Sequence, residues 1–434
     1  MNGPGGQAYR ALMESGLYDE LVEAELLVPH EVVSTDLAAA DGAVAVLRPE
    51  RIPFISYPYE WSFGQLRAAA ITTLRIQQRA MDRGMGLTDA TPFNIQFVGR
   101  RPVLVDTLSL VPMDDGEPWI AYHQFCTQFL APLRLQARLD PRLSGLLRST
   151  LDGVPLDMAS RMLPRRTWAN LGDLMHIHLH ARSIRRHAGA AAPDAGRTRA
   201  SARGIRGIVE HLLSHVEGTA MRRVPSVWED YEASHSYEQA ARTAKLDFVS
   251  GWVQARRPSV VWDLGANTGV FSRVAAQGAG YVVSLDFDAN AVEQNFSRVS
   301  HDSDEDGKVL PLCMNLMNPS PDLGWGLAER KSLTARGPAD LCLALALVHH
   351  LAISGNVPLP MVAAQFAEWG RSLIVEWVPK SDAMVQRLLA SRVDVFDEYT
   401  EEGFQQAFSS RFHIVEREPV PESERVLYAM ERRG

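Results

Sequence analysis

Residues 260–288 read VVWDLGANTGVFSRVAAQGAGYVVSLDFD. An apolar run leads into a glycine-bearing turn, a helical stretch, a second apolar run and then a carboxylate. That order is the strand–turn–helix–strand corner at which a doubly wound α/β sheet binds nucleotides. The dinucleotide form of the corner carries G-x-G-x-x-G, whose second glycine lets the backbone approach the pyrophosphate. Counting from Gly265, the second and third glycine positions hold Asn267 and Val270. The glycine closest to phosphate is missing, which disfavours NAD. Asp286 nevertheless falls 21 positions after Gly265, at the end of the next strand, where a carboxylate accepts ribose hydroxyls. A corner that keeps the ribose contact and gives up the phosphate contact suits a nucleoside cofactor without phosphate, such as S-adenosylmethionine (SAM).

Working outward, strand candidates lie at 259–264, 281–286, 309–313, 340–346, 372–378, 412–417 and 425–430. LCLALAL and SLIVEWV are nearly continuous apolar runs, as parallel strands covered on both faces require. Helical stretches alternate with them, which predicts an α/β domain with a Rossmann-like doubly wound sheet over 258–434. The last two candidates are about seven residues apart, too close for a helical crossover, so they should form an antiparallel terminal hairpin. Upstream, ARSIRRHAGAAAPDAGRTRASARG at 181–204 has the composition of a linker or mobile loop. Ile205, Ile208, Val209, Leu212, Leu213 and Val216 then recur at helical spacing. The expected organisation is an N-terminal domain at 1–180, the linker at 181–204, a helical lid or connector at 205–257, and the sheet domain at 258–434.

Composition narrows the function classes. The 434 residues are 46% hydrophobic and 22% charged, values of a soluble globular chain. A net charge of −8 gives no general reason to expect a nucleic-acid partner. Cys126, Cys313 and Cys342 are scattered and lack metal-ligand spacing, which predicts a reducing compartment and no metal site. The N-terminus shows no signal-peptide pattern, and the run LCLALALV is far short of the ~20 residues that span a bilayer. A cytoplasmic enzyme with a small-molecule partner and no membrane contact is expected. The oligomeric state, a homodimer included, stays open.

The motifs DLGANTG at 263–269, SLDFD at 284–288 and ALALVHHL at 344–351, with the terminal hairpin, resemble class I SAM-dependent methyltransferases. WEDYEASHSY at 228–237, VEWVPKSDAMVQRLL at 375–389 and VDVFDEYTEEGFQQAF at 393–408 look like a bacterial subset that includes nodulation-type methyltransferases. The resemblance spans 228–434. It implies that Asp263, Gly265, Asn267 and Gly269 shape a pocket around the methionine part of SAM, and that Asp286 holds the ribose. Asn315 stands where many members carry an adenine-reading Asp; its carbonyl oxygen can still accept. Phe287 either stacks on adenine or packs in the core. Trp228, Tyr231, His235 and Tyr237 lie where this fold carries a helical lid, with Tyr237 placed on the cofactor. The implied setting is bacterial specialised metabolism.

Open α/β sheets bind ligands beyond the carboxyl ends of their strands. His349 and His350 directly follow the fourth strand candidate, near the expected position of the SAM methyl. Methyl transfer is an in-line displacement, so alignment and exclusion of water come first. A protonated O–H or N–H acceptor also needs a base. Histidine, with an unperturbed pKa of about 6.5, suits that role, and His350 is favoured over His349. Glu376, at the end of the fifth strand, is a second base or an orienter. Trp377 beside it borders the pocket or packs. Lys380, Asp382 and Arg387 form a charged cluster that a helix cap explains.

The N-terminal half carries a second signature, GLTDATPFNIQFVGRRPVLVDTLSL at 86–110. Asp89, Asn94 and Asp106 match D-x-x-x-x-N followed by an apolar strand ending in Asp, which resembles the catalytic and metal-binding loops of kinase-like phosphotransferases. An α+β kinase-like domain is the implied fold. The sequence has no G-x-G-x-x-G before it and no lysine in residues 1–244, so the expected form is degenerate. Phosphotransfer through these residues, and a non-catalytic binding protein, remain as alternatives to methyl transfer.

Overall fold

The structure, a computed structural model, describes residues 1–38, 42–114, 117–187, 201–221, 238–301, 307–390 and 392–434. The chain divides into two compact units, Met1–Val224 and Pro225–Gly434.

The first unit is mainly helical, with three separate two-stranded sheets among its described residues. Its longest helix, Phe63–Asp82, begins with a capping box. Ser62 Oγ accepts the Gln65 N–H, and Gln65 Oε1 accepts the Ser62 N–H. Leu66, Ala69, Ala70, Thr73, Leu74, Gln77 and Ala80 recur at helical spacing and are buried. Helix Ala202–Glu217, which the sequence groups with a connector at 205–257, packs within this first unit. Ile205, Val209, Leu212 and Val216 form its buried face. Arg206 pairs with Asp82, and Arg67 Nε donates to the Val216 carbonyl. The packing of an apolar face settles its place.

A polar network threads the core of this unit. Arg134 makes a bidentate pair with Asp173 at 2.6 Å for both bonds, and His215 Nε2 lies 3.1 Å from the same carboxylate. Beside it, the Tyr122 hydroxyl is 2.8 Å from His176 Nδ1, and His176 Nε2 is 2.8 Å from His211 Nδ1. Burial and the neighbouring histidines push His176 down to about 3.

In the second unit, strands β1 (Val260–Leu264), β2 (Tyr281–Asp286), β3 (Val309–Cys313), β4 (Ala339–Ala344), β5 (Gly370–Trp377), β6 (Phe412–Pro419) and β7 (Val426–Arg432) form one sheet. Its order is β6-β7-β5-β4-β1-β2-β3, with β1 to β5 parallel. β7 runs antiparallel between β5 and β6. The six residues between β6 and β7 leave no room for a crossover helix, so the expected hairpin forms. Helices α1 (Glu238–Arg256), α2 (Val270–Ala276), α3 (Ala289–His301), α4 (Leu359–Trp369), α5 (Ala383–Leu389) and α6 (Glu401–Ser409) connect and cover the strands. Val261, Val282, Leu341, Leu343 and Ile374 meet Phe248, Val249 and Val253 of α1 in one apolar cluster. Strand β4 ends at Ala344 and not at the expected 346, because Ala346 turns into a left-handed conformation, with φ of 49°. No helix among the described residues is long and apolar enough to cross a membrane.

Acid should loosen the first unit. His176 takes up its proton only near pH 3 when folded, whereas an unfolded histidine does so near 6.5. Below pH 6.5 the unfolded chain therefore binds more protons, and stability falls at about 1.4 kcal/mol per pH unit for one such group. Thermal melts between pH 7.5 and 5 should show that fall, and His176→Gln should flatten it. Parallel curves for parent and variant would contradict the assignment.

Candidate active site

The strand order reverses between β1 and β4: the chain runs outward to β3 on one side and to β5 on the other. Such a switch point opens a crevice at the carboxyl ends of the two strands. Two loops meet there, the 265–269 turn after β1 and the 345–350 loop after β4. A Cβ on Gly265 would stand 3.2 Å from Leu347 Cδ1, so the loops are already in contact.

The turn after β1 is built from left-handed residues. Gly265, Asn267 and Gly269 have φ of 75°, 50° and 77°. Gly265 and Ala266 both donate to the Leu285 carbonyl, at 2.8 and 2.9 Å. Asn, unlike most side chains, tolerates the left-handed region. Gly269 is needed for a further reason, since any Cβ there would run into the Asn295 amide. Both glycines are thus accounted for by the chain's own conformation and packing.

Two carboxylates flank this turn in different ways. Asp263 is turned inward, with Oδ2 2.5 Å from Ser272 Oγ, which itself lies 2.8 Å from Ser284 Oγ. Burial raises its pKa to about 7. It shapes the corner from beneath. Asp286 ends β2 at the crevice. Its Oδ2 accepts the Asn267 N–H and its Oδ1 accepts the Asp288 N–H, both at 2.8 Å. Burial outweighs these bonds and lifts its pKa to about 6. Each carboxylate oxygen can accept more than one bond, so capacity for two hydroxyls remains. Phe287 follows with 58% of its surface exposed, which removes the core alternative. Asn315 is exposed after β3, and its Oδ1 already accepts the Met317 N–H at 2.9 Å. Tyr237, with Trp228, Tyr231 and His235, lies outside the described residues.

On the other loop, His349 and His350 sit in the first turn of the helical segment after β4, their rings 4.0 Å apart. His349 is fully buried, and neither of its ring nitrogens has a hydrogen-bond partner among the described residues. Burial, His350 and the positive charge of Arg425 press it down to about 3. His350 is lowered in turn by burial and by Arg425. Both rings are therefore biased toward the neutral form relative to a free imidazole.

Glu376 is fully buried at the end of β5. Its Oε1 is 2.6 Å from Lys245 Nζ and 3.3 Å from Arg425 Nη1, and its Oε2 accepts the Ala346 N–H at 2.9 Å. Arg425 also pairs with Asp382 at 2.8 Å, and Asp382 caps α5. Lys380 pairs instead with Asp394. Trp377 is buried against Tyr399 and Phe404 and so packs. Sequence reading missed Lys245 and Arg425. One signal existed: Lys245 is one of only four lysines in a chain that otherwise uses arginine.

In the first unit Asp89, Asn94 and Asp106 do converge. Asn94 Nδ2 is 3.5 Å from Asp106 Oδ2, and burial with the charge of Asp89 raises the Asp106 pKa. Gln124 occupies Asp89 Oδ1 at 2.6 Å.

The seven-stranded mixed sheet, its lone antiparallel strand and its switch-point crevice define a doubly wound α/β fold in the second unit. No family model matches the sequence. The nodulation protein NoeA of Rhizobium meliloti (strain 1021) is 37% identical over 428 residues, covering 98% of this chain and 88% of NoeA. The chain belongs to the NoeA family. Among solved structures, the N-methyltransferase NodS from Bradyrhizobium japonicum WM9, in complex with S-adenosyl-L-homocysteine, is 14% identical. That match covers 49% of this chain and 94% of NodS, with a TM-score of 0.34. The magnesium protoporphyrin IX methyltransferase ChlM from Synechocystis PCC 6803 with bound SAM is 16% identical. It covers 49% of this chain and 87% of its own, with a TM-score of 0.32. None of these similarities supports the kinase-like reading of residues 1–180.

The electrostatics of the second loop are directly measurable. NMR titration of the imidazole protons should leave His349 neutral down to about pH 4, with His350 titrating below 6.5. Both rings titrating near 6.5 would contradict the burial described.

Proposed function

We propose that the second unit binds SAM in the switch-point crevice and transfers its methyl group to a small-molecule acceptor. The observation that carries this reading is the corner itself. Asp286 ends the strand after the turn, where a carboxylate can meet a ribose, while the turn lacks the glycine that a pyrophosphate needs. In this reading Asp286 accepts the ribose hydroxyls, and Phe287 stacks on the adenine. Asn315 offers its remaining capacity to the adenine edge. The backbone of 265–269 faces the methionine part, with Asp263 holding the turn from below. Tyr237 is retained as a cofactor contact.

His350, with His349 behind it, borders the methyl. A neutral imidazole accepts a proton, but a lowered pKa makes it a weaker base. Alignment and exclusion of water then carry more of the rate. Glu376, paired with two cations, suits orientation better than proton transfer. ChlM with bound SAM and NodS with bound S-adenosyl-L-homocysteine agree with the assignment, and the name of the NoeA relative agrees with a bacterial specialised pathway. A second reading, phosphotransfer through Asp89, Asn94 and Asp106, draws on their convergence. The absence of lysine from residues 1–244 argues against it.

Calorimetry on the full chain separates these readings, because SAM binding supports the first and Mg-ATP binding the second. Asp286→Ala should remove charge-assisted bonds worth roughly 1.5–3 kcal/mol, weakening SAM about ten- to a hundred-fold. Affinity should also drop below about pH 6, where the Asp286 carboxylate takes up its proton. Unchanged affinity in a variant that melts like the parent would remove Asp286 from the ribose.

A further inference from the structure

The loop that carries the two histidines has no regular hydrogen bonding of its own at Ala346. This residue is left-handed without being glycine, a conformation that costs of order 1 kcal/mol and persists only when its surroundings impose it. The imposing contact is visible. The Ala346 N–H donates to Glu376 Oε2, a carboxylate from the neighbouring strand with no exposed surface. Glu376 is itself held from two further directions, by Lys245 on α1 and by Arg425 just before β7. Arg425 is oriented in turn by Asp382 at the head of α5. Three separate elements thus converge on one carboxylate, with α5 steadying one of them through Asp382, and its second oxygen accepts from the backbone of the candidate catalytic loop.

We propose that Glu376 is the positioning residue of this loop: anchored by Lys245 and Arg425, it fixes Ala346 and thereby the direction of His349 and His350. The inference rests on the methyl-transfer reading for its functional meaning, but its geometry is independent of the cofactor. A carboxylate flanked by two cations at 2.6 and 3.3 Å is fixed in place by two ion pairs on one oxygen, which leaves the other to the loop. An anionic acceptor makes the stronger bond to a backbone N–H, which is what a strained turn requires. The same cations face His349, together with His350 and Asp382, so the cluster also sets the electrostatic surroundings of the imidazole pair.

Amide hydrogen exchange tests the link on the full chain. In Glu376→Ala, exchange across 345–350 should rise at least ten-fold, while the 265–269 turn keeps its parental rate. Glu376→Gln retains an oxygen for the Ala346 N–H and should fall between parent and alanine variant. A carboxylate that merely stabilises the sheet would loosen β5 and β7 to the same extent as the loop. That pattern, or parental exchange at 345–350, would overturn the proposal. If Glu376→Ala does not fold, the comparison is made on Glu376→Gln and Arg425→Lys, in which 345–350 must still exchange faster than β5. Titration with S-adenosylhomocysteine separates the two levels. A parent chain that fails to bind it while the loop responds to Glu376 sinks the methyl-transfer reading alone. A parent that binds it while the loop does not respond sinks the positioning role alone.

Discussion

The carboxylate of Asp286 is the contact on which the crevice depends. One oxygen grips the Asn267 N–H in the turn after β1 and the other grips the Asp288 N–H beyond β2. Two loops from adjacent strands are thereby joined through a single side chain. Hydrogen bonds from backbone amides favour the anion, and burial opposes it. Burial wins by enough to lift the pKa to about 6, yet the group is still an anion at neutral pH. A buried anion with accepting capacity left over, at the mouth of a switch point, is a chemically selective feature. It favours neutral hydroxyl donors and repels phosphate.

The opposite wall obeys a similar rule with a different carboxylate. Glu376 is neutralised by Lys245 and Arg425, and so presents a strong acceptor inward without leaving an unpaired charge. The two walls touch through Gly265 and Leu347. The 265–269 turn on one side and the histidine pair on the other are therefore set by separate networks. Changes in one need not disturb the other.

Much of the sheet was legible because parallel strands buried on both faces must be apolar throughout, and SLIVEWV and LCLALAL satisfy that plainly. The end of β4 was not, since Ala346 leaves the strand only because Glu376 reaches across to it. Lys245, Glu376 and Arg425 are far apart in the chain, and nothing local in their sequence marks them as neighbours. The burial of His349 has the same origin: two adjacent histidines at a helix start give no sign of which one faces inward. Asn315 illustrates a competing local preference, its oxygen being drawn into a turn with Met317. The helix at Ala202–Glu217 was legible as a helix, but its destination was decided by which unit offered an apolar surface.

The most direct measurement is a crystal structure of the full chain with S-adenosylhomocysteine. It should show the ribose hydroxyls within hydrogen-bonding distance of Asp286 and the sulfur facing the 345–350 loop. A ligand bound elsewhere, or one in the crevice whose ribose makes no contact with Asp286, would contradict the account.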